Sequence, residues 1–388
     1  MINGDRIKQA RELCGLTQAE LAERITINRG ALTHYEAGRY EPPDDVLDAI
    51  VQVTGFPLAF FQQEVTLEFP LGSLLFRARA SITSKDKLKA HRYGQTLYEM
   101  IDTMAKRFKD IPLRLPRQRI DPPAAAVLTR SEMSLSAYKP IENLVNAAEK
   151  SGVRVLRIPE PLQGIDAFSV WAGFDEKRPV IVIADEAPGD RLRLSVAHEL
   201  GHLVMHQSIR GTVDKIEQEA NQFAAELLMP AEQMQQELLP PVTISSLFEL
   251  KERWGVSIQA LIRRTYELHI ISERQYRYLC FQIGKQGMRT EEPIEIPIER
   301  PRALRQMAER LYGNPIDYLK MASHLNLPPM FVKQVVEAHA ENEPIRRKKV
   351  SPTGDEPDKE ERKVVPFATR AGLRLSDETP SKDFNRGS

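Results

Sequence analysis

Apolar positions in the first sixty-odd residues recur at helical spacing in short bursts broken by glycine and proline: GDRIKQARELCG, LTQAELAERI, INRGALTHYEAG and PPDDVLDAIVQVTG. Each burst is shorter than an isolated helix needs to persist in water, so the four are expected to stand only by packing on one another. A longer amphipathic pattern over 76–119 predicts one or two helices ending at a proline-rich stretch. From about 120 to 240 the pattern is mixed. A helix is predicted around 141–151, then β-rich runs (VRVLRI, AFSVWAGF, RPVIVIA), then two strongly helical segments over 190–207 and 214–238. Residues 242–283 return to short helices, and 244–265, like 17–37, has the outline of a helix-turn-helix, here with core packing as its expected job. From about 340 onward the chain is charged and poor in large apolar residues, so the tail is expected to be disordered.

Composition narrows the class. A chain of 388 residues implies two to three domains, and 41% hydrophobic with 28% charged residues excludes wholesale disorder and a fibrous class. Two cysteines, Cys14 and Cys280, are too few for a disulfide framework or a cysteine-rich zinc module. The N-terminus has no apolar core of signal-peptide length, and no run approaches the roughly 18 apolar residues of a membrane span, so a soluble, cytoplasmic protein without membrane partners is expected. The formal net charge is zero, with 54 Lys/Arg and 54 Asp/Glu. That average hides unlike parts: six Lys/Arg against ten Asp/Glu over 1–64, and twelve against four over 76–119.

The most specific local signal is His198-Glu199-Leu200-Gly201-His202. On a helix, positions i and i+4 share a face about 6 Å apart along the axis, so both imidazoles can converge on one metal ion with the glutamate beside it. Two neutral histidines and a carboxylate that moves a proton are what a zinc peptidase needs. A third ligand must come from elsewhere. His206 continues the stripe about 12 Å from His198, too far to share that metal, and is expected to be a buried polar residue. In the next helix, KIEQEANQFAAELLMP, Glu217 is preferred over Glu219, and Asn221, one turn on from Glu217, is placed to hydrogen-bond a ligand.

Together, PVIVIADEAPGDRLRLSVAHELGHLVMH and EQEANQFAAELLMP resemble the ImmA/IrrE family of zinc metallopeptidases, with the likeness extending over roughly 65–300. The resemblance implies a gluzincin-like α+β fold with a small sheet, His198, His202 and Glu217 as ligands to Zn2+, Glu199 as general base, and a regulatory protein, often a helix-turn-helix repressor, as substrate. Strands around 167–172 and 180–184 are expected to offer an edge to an extended substrate, with Asp166 and Ser169 in turn-and-strand roles near the cleft.

In LTQAELAERITINRGALTHYEAGRYEPP, a helix at 17–24, a turn and a helix at about 28–36 are similar to the Xre/phage-repressor class. That likeness implies that the second helix enters the major groove of double-stranded operator DNA, with Arg29, Thr33 and His34 toward base edges and Gln18 toward a phosphate. Arg29 suits a bidentate contact to guanine. The acidic balance of this region predicts modest non-specific affinity and hence reliance on a homodimer, and it also leaves protein binding open as the domain's role.

The expected architecture is mainly α with a small β-sheet: a helix-turn-helix domain at 1–64, a basic helical connector at 65–119, a zinc peptidase domain at 120–240, a helical C-terminal region at 241–340 and the tail at 341–388. The expected function is a transcription regulator fused to a zinc endopeptidase that cuts a repressor or itself on a stress, phage or metabolite signal. The alternatives are a non-proteolytic regulator whose peptidase-like domain senses a ligand, and a toxin–antitoxin component.

Overall fold

A computed structural model describes residues 1–65, 68–72, 83–162, 164–174, 177–184, 186–206, 211–289 and 291–339. The expected disordered tail and the start of the basic pattern at 76–82 lie outside the described residues. The described residues form one compact unit.

The first five helices are α1 (Gly4–Leu13), α2 (Gln18–Arg24), α3 (Arg29–Glu36), α4 (Asp44–Thr54) and α5 (Leu58–Phe61). Their starts are written in the sequence. Asn3 and Asn28 cap α1 and α3, and Thr17 and Glu20 close a capping box on α2. Ile7, Leu21, Leu32, Ile50 and Phe61 are fully buried, so these short helices hold one another in place as their length requires. Next comes α6 (Ser84–Ala105), one helix rather than two, and the stretch from 108 to 121 that contains Pro112 and Pro116 carries no helix. Residues of α1 and α6 share a partly buried polar seam: Arg6 reaches Glu99 at 2.6 Å, Gln9 donates to Thr96 Oγ1 at 2.9 Å, and Arg92 reaches Glu12 at 2.6 Å.

Then follow α7 (Pro122–Glu132), α8 (Leu144–Lys150), strands β1 (Arg154–Arg157), β2 (Ala167–Ala172) and β3 (Arg178–Ile183), and helices α9 (Gly189–Met205), α10 (Val213–Leu228) and α11 (Ala231–Glu237). The helix expected over 214–238 breaks at Pro230, which cannot donate to the preceding turn. The sheet has the order β1-β3-β2, with β1 parallel and β2 antiparallel to β3. Alternation along the strands divides two cores. Leu156, Phe168, Val180 and Val182 join the core shared with α6 and the N-terminal helices, whereas Val155, Ile181 and Ile183 join that of α7 to α10.

The second core also takes in α12 (Ile244–Trp254), α13 (Ile258–Glu267) and α14 (Glu273–Lys285) through Leu247, Trp254, Leu261, Ile262 and Leu279. The two helices at 244–265 are thus a helix-turn-helix in outline whose apolar faces are spent on this core. Finally α15 (Ala303–Tyr312), α16 (Tyr318–Leu325) and α17 (Pro329–Ala338) return to the first core through Leu304, Met321 and Val332. His339, fully buried, ties them to the sheet by accepting from the Arg157 backbone N–H at 3.1 Å.

Candidate metal centre and helix-turn-helix face

α9 carries His198 and His202 one turn apart, and their Nε2 atoms lie 2.9 Å from each other. α10 packs across α9 and brings Glu217 to them, Oε2 3.4 Å from His198 Nε2 and Oε1 3.3 Å from His202 Nε2. The close crossing depends on Gly201, where a Cβ would lie 2.9 Å from Cδ1 of Phe223 on α10. One ligand atom from each of the three residues lies within 4.8 Å of the others.

The partners of the imidazoles define their tautomers. His198 Nδ1 is 2.9 Å from Asn221 Oδ1, an oxygen that only accepts, so Nδ1 carries the proton and Nε2 presents a lone pair. His206 Nε2 likewise donates to Glu219 Oε2 at 3.0 Å, which leaves His206 Nδ1 to accept from His202 Nδ1 at 3.0 Å. His202 Nε2 is then a lone pair too. Two lone pairs and a carboxylate face one point, and Glu217 Oε1 is buried with no hydrogen-bond partner. Converging acceptors of this kind suit a divalent cation.

Glu199 is fully buried, and its Oε2 accepts from the Ser169 hydroxyl at 2.6 Å. Ser169 lies on β2 facing α9, so the strand position expected to serve the sheet also orients the carboxylate. The run from Glu219 through His206 to His202 is the other feature that motif reading does not yield. Its trace in the sequence is the i, i+4 step from His202 to His206. Asp166 is engaged by Arg191 at 2.8 and 3.0 Å.

The expected substrate edge needs correction. β3 is the central strand and offers no edge. β2 is an outer strand, but the chain's own residues 68–72 run against it: Gly173 N donates to Glu68 O at 2.8 Å, and a Cβ on Gly72 would lie 2.2 Å from Ser169 O. An incoming strand therefore meets this segment first.

On α3, Arg29 and Thr33 are exposed, and Thr33 Oγ1 stands 3.4 Å from Gln18 Oε1. Gln18 is held by Glu36 at 2.8 Å, and Glu36 by Arg11 at 2.5 Å. Gln18 and Arg29 line one concavity, to which Lys85 and Leu88 of α6 also contribute. His34 is set apart, with its ring against Tyr40 at a centroid distance of 5.6 Å.

Comparison with known proteins finds two matched stretches of the chain. Residues 148–266 match the peptidase M78 family model, described as an IrrE N-terminal-like domain, and residues 7–61 match a helix-turn-helix family model. No curated protein matches the chain. Among solved structures, the chain is similar to Bacillus thuringiensis PlcR in complex with the peptide PapR7 and DNA, at 13% identity and a TM-score of 0.15, over 87% of this chain and 92% of that one. Among the described residues, no helix is long and apolar enough to cross a membrane.

Proposed function

We propose that this chain, which joins an Xre-type helix-turn-helix domain to an ImmA/IrrE-like peptidase domain, is a DNA-bound regulator that cleaves a regulatory protein by zinc-dependent hydrolysis. The observation that carries the reading is the pair of imidazole lone pairs and the Glu217 carboxylate facing one point beside the buried Glu199. His198, His202 and Glu217 would hold zinc, which supplies Lewis acidity toward the scissile carbonyl and toward water.

The chain's own groups do the rest. Glu199 takes the proton of the attacking water and delivers it to the leaving amine, and the Ser169 hydroxyl at 2.6 Å keeps its carboxylate aimed. Asn221 on one side and the His206–Glu219 pair on the other hold the imidazoles in the ligating tautomer. Arg29 and Thr33 on the exposed face of α3 supply base contacts, and Gln18, anchored by Glu36, supplies a phosphate contact. Residues 68–72 must leave β2 before a substrate strand can pair there.

The test is co-expression with candidate helix-turn-helix repressor substrates, comparing wild type with Glu199→Gln. Cleavage by wild type alone is expected, and cleavage by both would refute the mechanism. Purified wild type should carry about one zinc per chain and His202→Ala almost none. Equal zinc contents would refute the ligand set. Arg29→Ala should weaken capture on duplex DNA, and unchanged capture would refute the DNA contact.

A further inference from the structure

On the peptidase domain, apart from the metal ligands, α7, the loop after it, α8 and Arg114 line an open concavity of about 480 Å³. Its lining carries four cations, Arg114, Arg130, Lys139 and Lys150, against one carboxylate, Glu142. None of the four makes an ion pair among the described residues. Ser134 and Asn146 add hydrogen-bonding groups to the same wall.

Arg130 is the unusual member. Its residue exposure is 3%, yet its guanidinium is met only by backbone carbonyls: Nε donates to Leu227 O at 2.8 Å, and one terminal nitrogen donates to Lys139 O at 3.0 Å and to Ser136 O. Its other terminal nitrogen, NH2, has no partner. The nearest acidic help, Glu226, already serves Arg264 and the Ala231 backbone N–H. With carbonyl dipoles in contact and only the shared charge of Glu226 acting on it without an ion pair, this buried cation is short of the counter-charge that such a group ordinarily has. Burial accordingly pushes Arg130 down to about 10.

We propose that this concavity binds a phosphate-bearing small molecule, whose charge supplies the anion that Arg130, Arg114, Lys139 and Lys150 lack. The volume lies in the range of small-ligand pockets, and cations converging on a concavity suit a compact polyanion better than the extended backbone of a duplex. The proposal stands on this pocket alone and does not depend on the peptidase reading. Arg130 also touches the last turn of α10, the helix that carries Glu217 and Asn221, so an occupant would adjoin an element of the metal centre.

The experiment is calorimetric titration of the full chain with inorganic pyrophosphate at constant ionic strength. The variants are Lys139→Ala/Lys150→Ala, which removes two exposed side chains without ion pairs, and Lys320→Ala/Lys333→Ala, which makes the same change in net charge on α16 and α17. Saturable binding is expected in wild type and in the α16/α17 variant, with at least a tenfold weaker Kd in Lys139→Ala/Lys150→Ala. Three results would overturn the proposal: no binding by wild type, equal binding by Lys139→Ala/Lys150→Ala (an anion on the metal centre or elsewhere), or equal loss in both variants (an effect of net charge only). Arg130→Lys, which keeps the charge, should lose affinity to a smaller degree if it folds. A duplex oligonucleotide that displaces pyrophosphate and itself binds through Lys139 and Lys150 would also overturn it in favour of a nucleic-acid surface.

Discussion

Replacing Gly201 by alanine sets two known effects against each other at the metal centre. The residue sits in the interior of α9 with ordinary helical geometry, so helix propensity alone favours alanine by about 1 kcal/mol. Against this, the new methyl would lie 2.9 Å from Cδ1, 3.2 Å from Cγ and 3.3 Å from Cβ of Phe223. A ring edge can tilt away, but the Phe223 Cβ is fixed to the α10 backbone, so relief requires the two helices to separate by a few tenths of an ångström. Overpacking of this kind costs roughly 1–3 kcal/mol. The balance is a net destabilisation of about 0–2 kcal/mol, or several degrees in Tm for a domain of this size. The metal centre should suffer more than the fold, because Glu217 moves with α10 while His198 and His202 stay on α9. We expect zinc affinity, measured by competition with a chromogenic chelator, to fall about tenfold, or about 1.4 kcal/mol. Phe223→Leu in the same chain should restore part of that loss, giving a coupling energy of about 1 kcal/mol in the double-mutant cycle. A Gly201→Ala protein more stable than wild type, with unchanged zinc affinity and additive effects of the two substitutions, would refute the reasoning.

Three further outcomes follow from the same geometry. His206→Phe removes the acceptor of His202 Nδ1 and should weaken zinc binding by about 10- to 100-fold with little change in secondary structure; chelator competition with circular dichroism checks it, and unchanged affinity contradicts the tautomer argument. Ser169→Ala should lower kcat on any cleaved substrate while leaving zinc content unchanged, since its hydroxyl donates to Glu199, the general base; loss of zinc would contradict it. Burial holds His339 down to about 4, below its ordinary value of 6.5, so its neutral form stabilises the fold above pH 6.5, and that contribution is lost as pH falls toward 4. At most about 3 kcal/mol is at stake. Urea midpoints measured from pH 7 to pH 4 should fall more steeply for wild type than for His339→Leu, and parallel slopes would contradict the assignment.

The parts of this molecule legible in the sequence are those set by local rules. The helix-turn-helix was readable because apolar positions such as Leu21 and Leu32, and the glycines and prolines that break the pattern, act within a few residues of themselves. The spacing of His198 and His202 was readable because one helical turn does all the work. What escaped is non-local. Nothing near Ser169 in sequence says that it will meet Glu199, thirty positions on, because β2 and α9 are brought together by the sheet. The same holds for residues 68–72 along β2, since a linker's path is decided by what it packs on and not by its own pattern. Helices α15 to α17 joining the N-terminal core, instead of the domain that precedes them, are likewise a matter of which face of the sheet was left to cover.

The polar seam between α1 and α6 bears on what a cut in this chain would achieve. Arg6 with Glu99, Gln9 with Thr96 and Arg92 with Glu12 bridge the two sides of the stretch between Gly72 and Thr83, and none of these contacts needs the backbone to be continuous there. Fully buried side chains of both sides, Ile7 and Phe61 with Leu97 and Ile101, belong to one shared core. A nicked chain would thus remain a non-covalent complex of its two fragments, migrating as one species until denatured. If the protein regulates itself by self-cleavage in this stretch, the cut is a licence for release rather than the release itself, and a second event must pull the fragments apart.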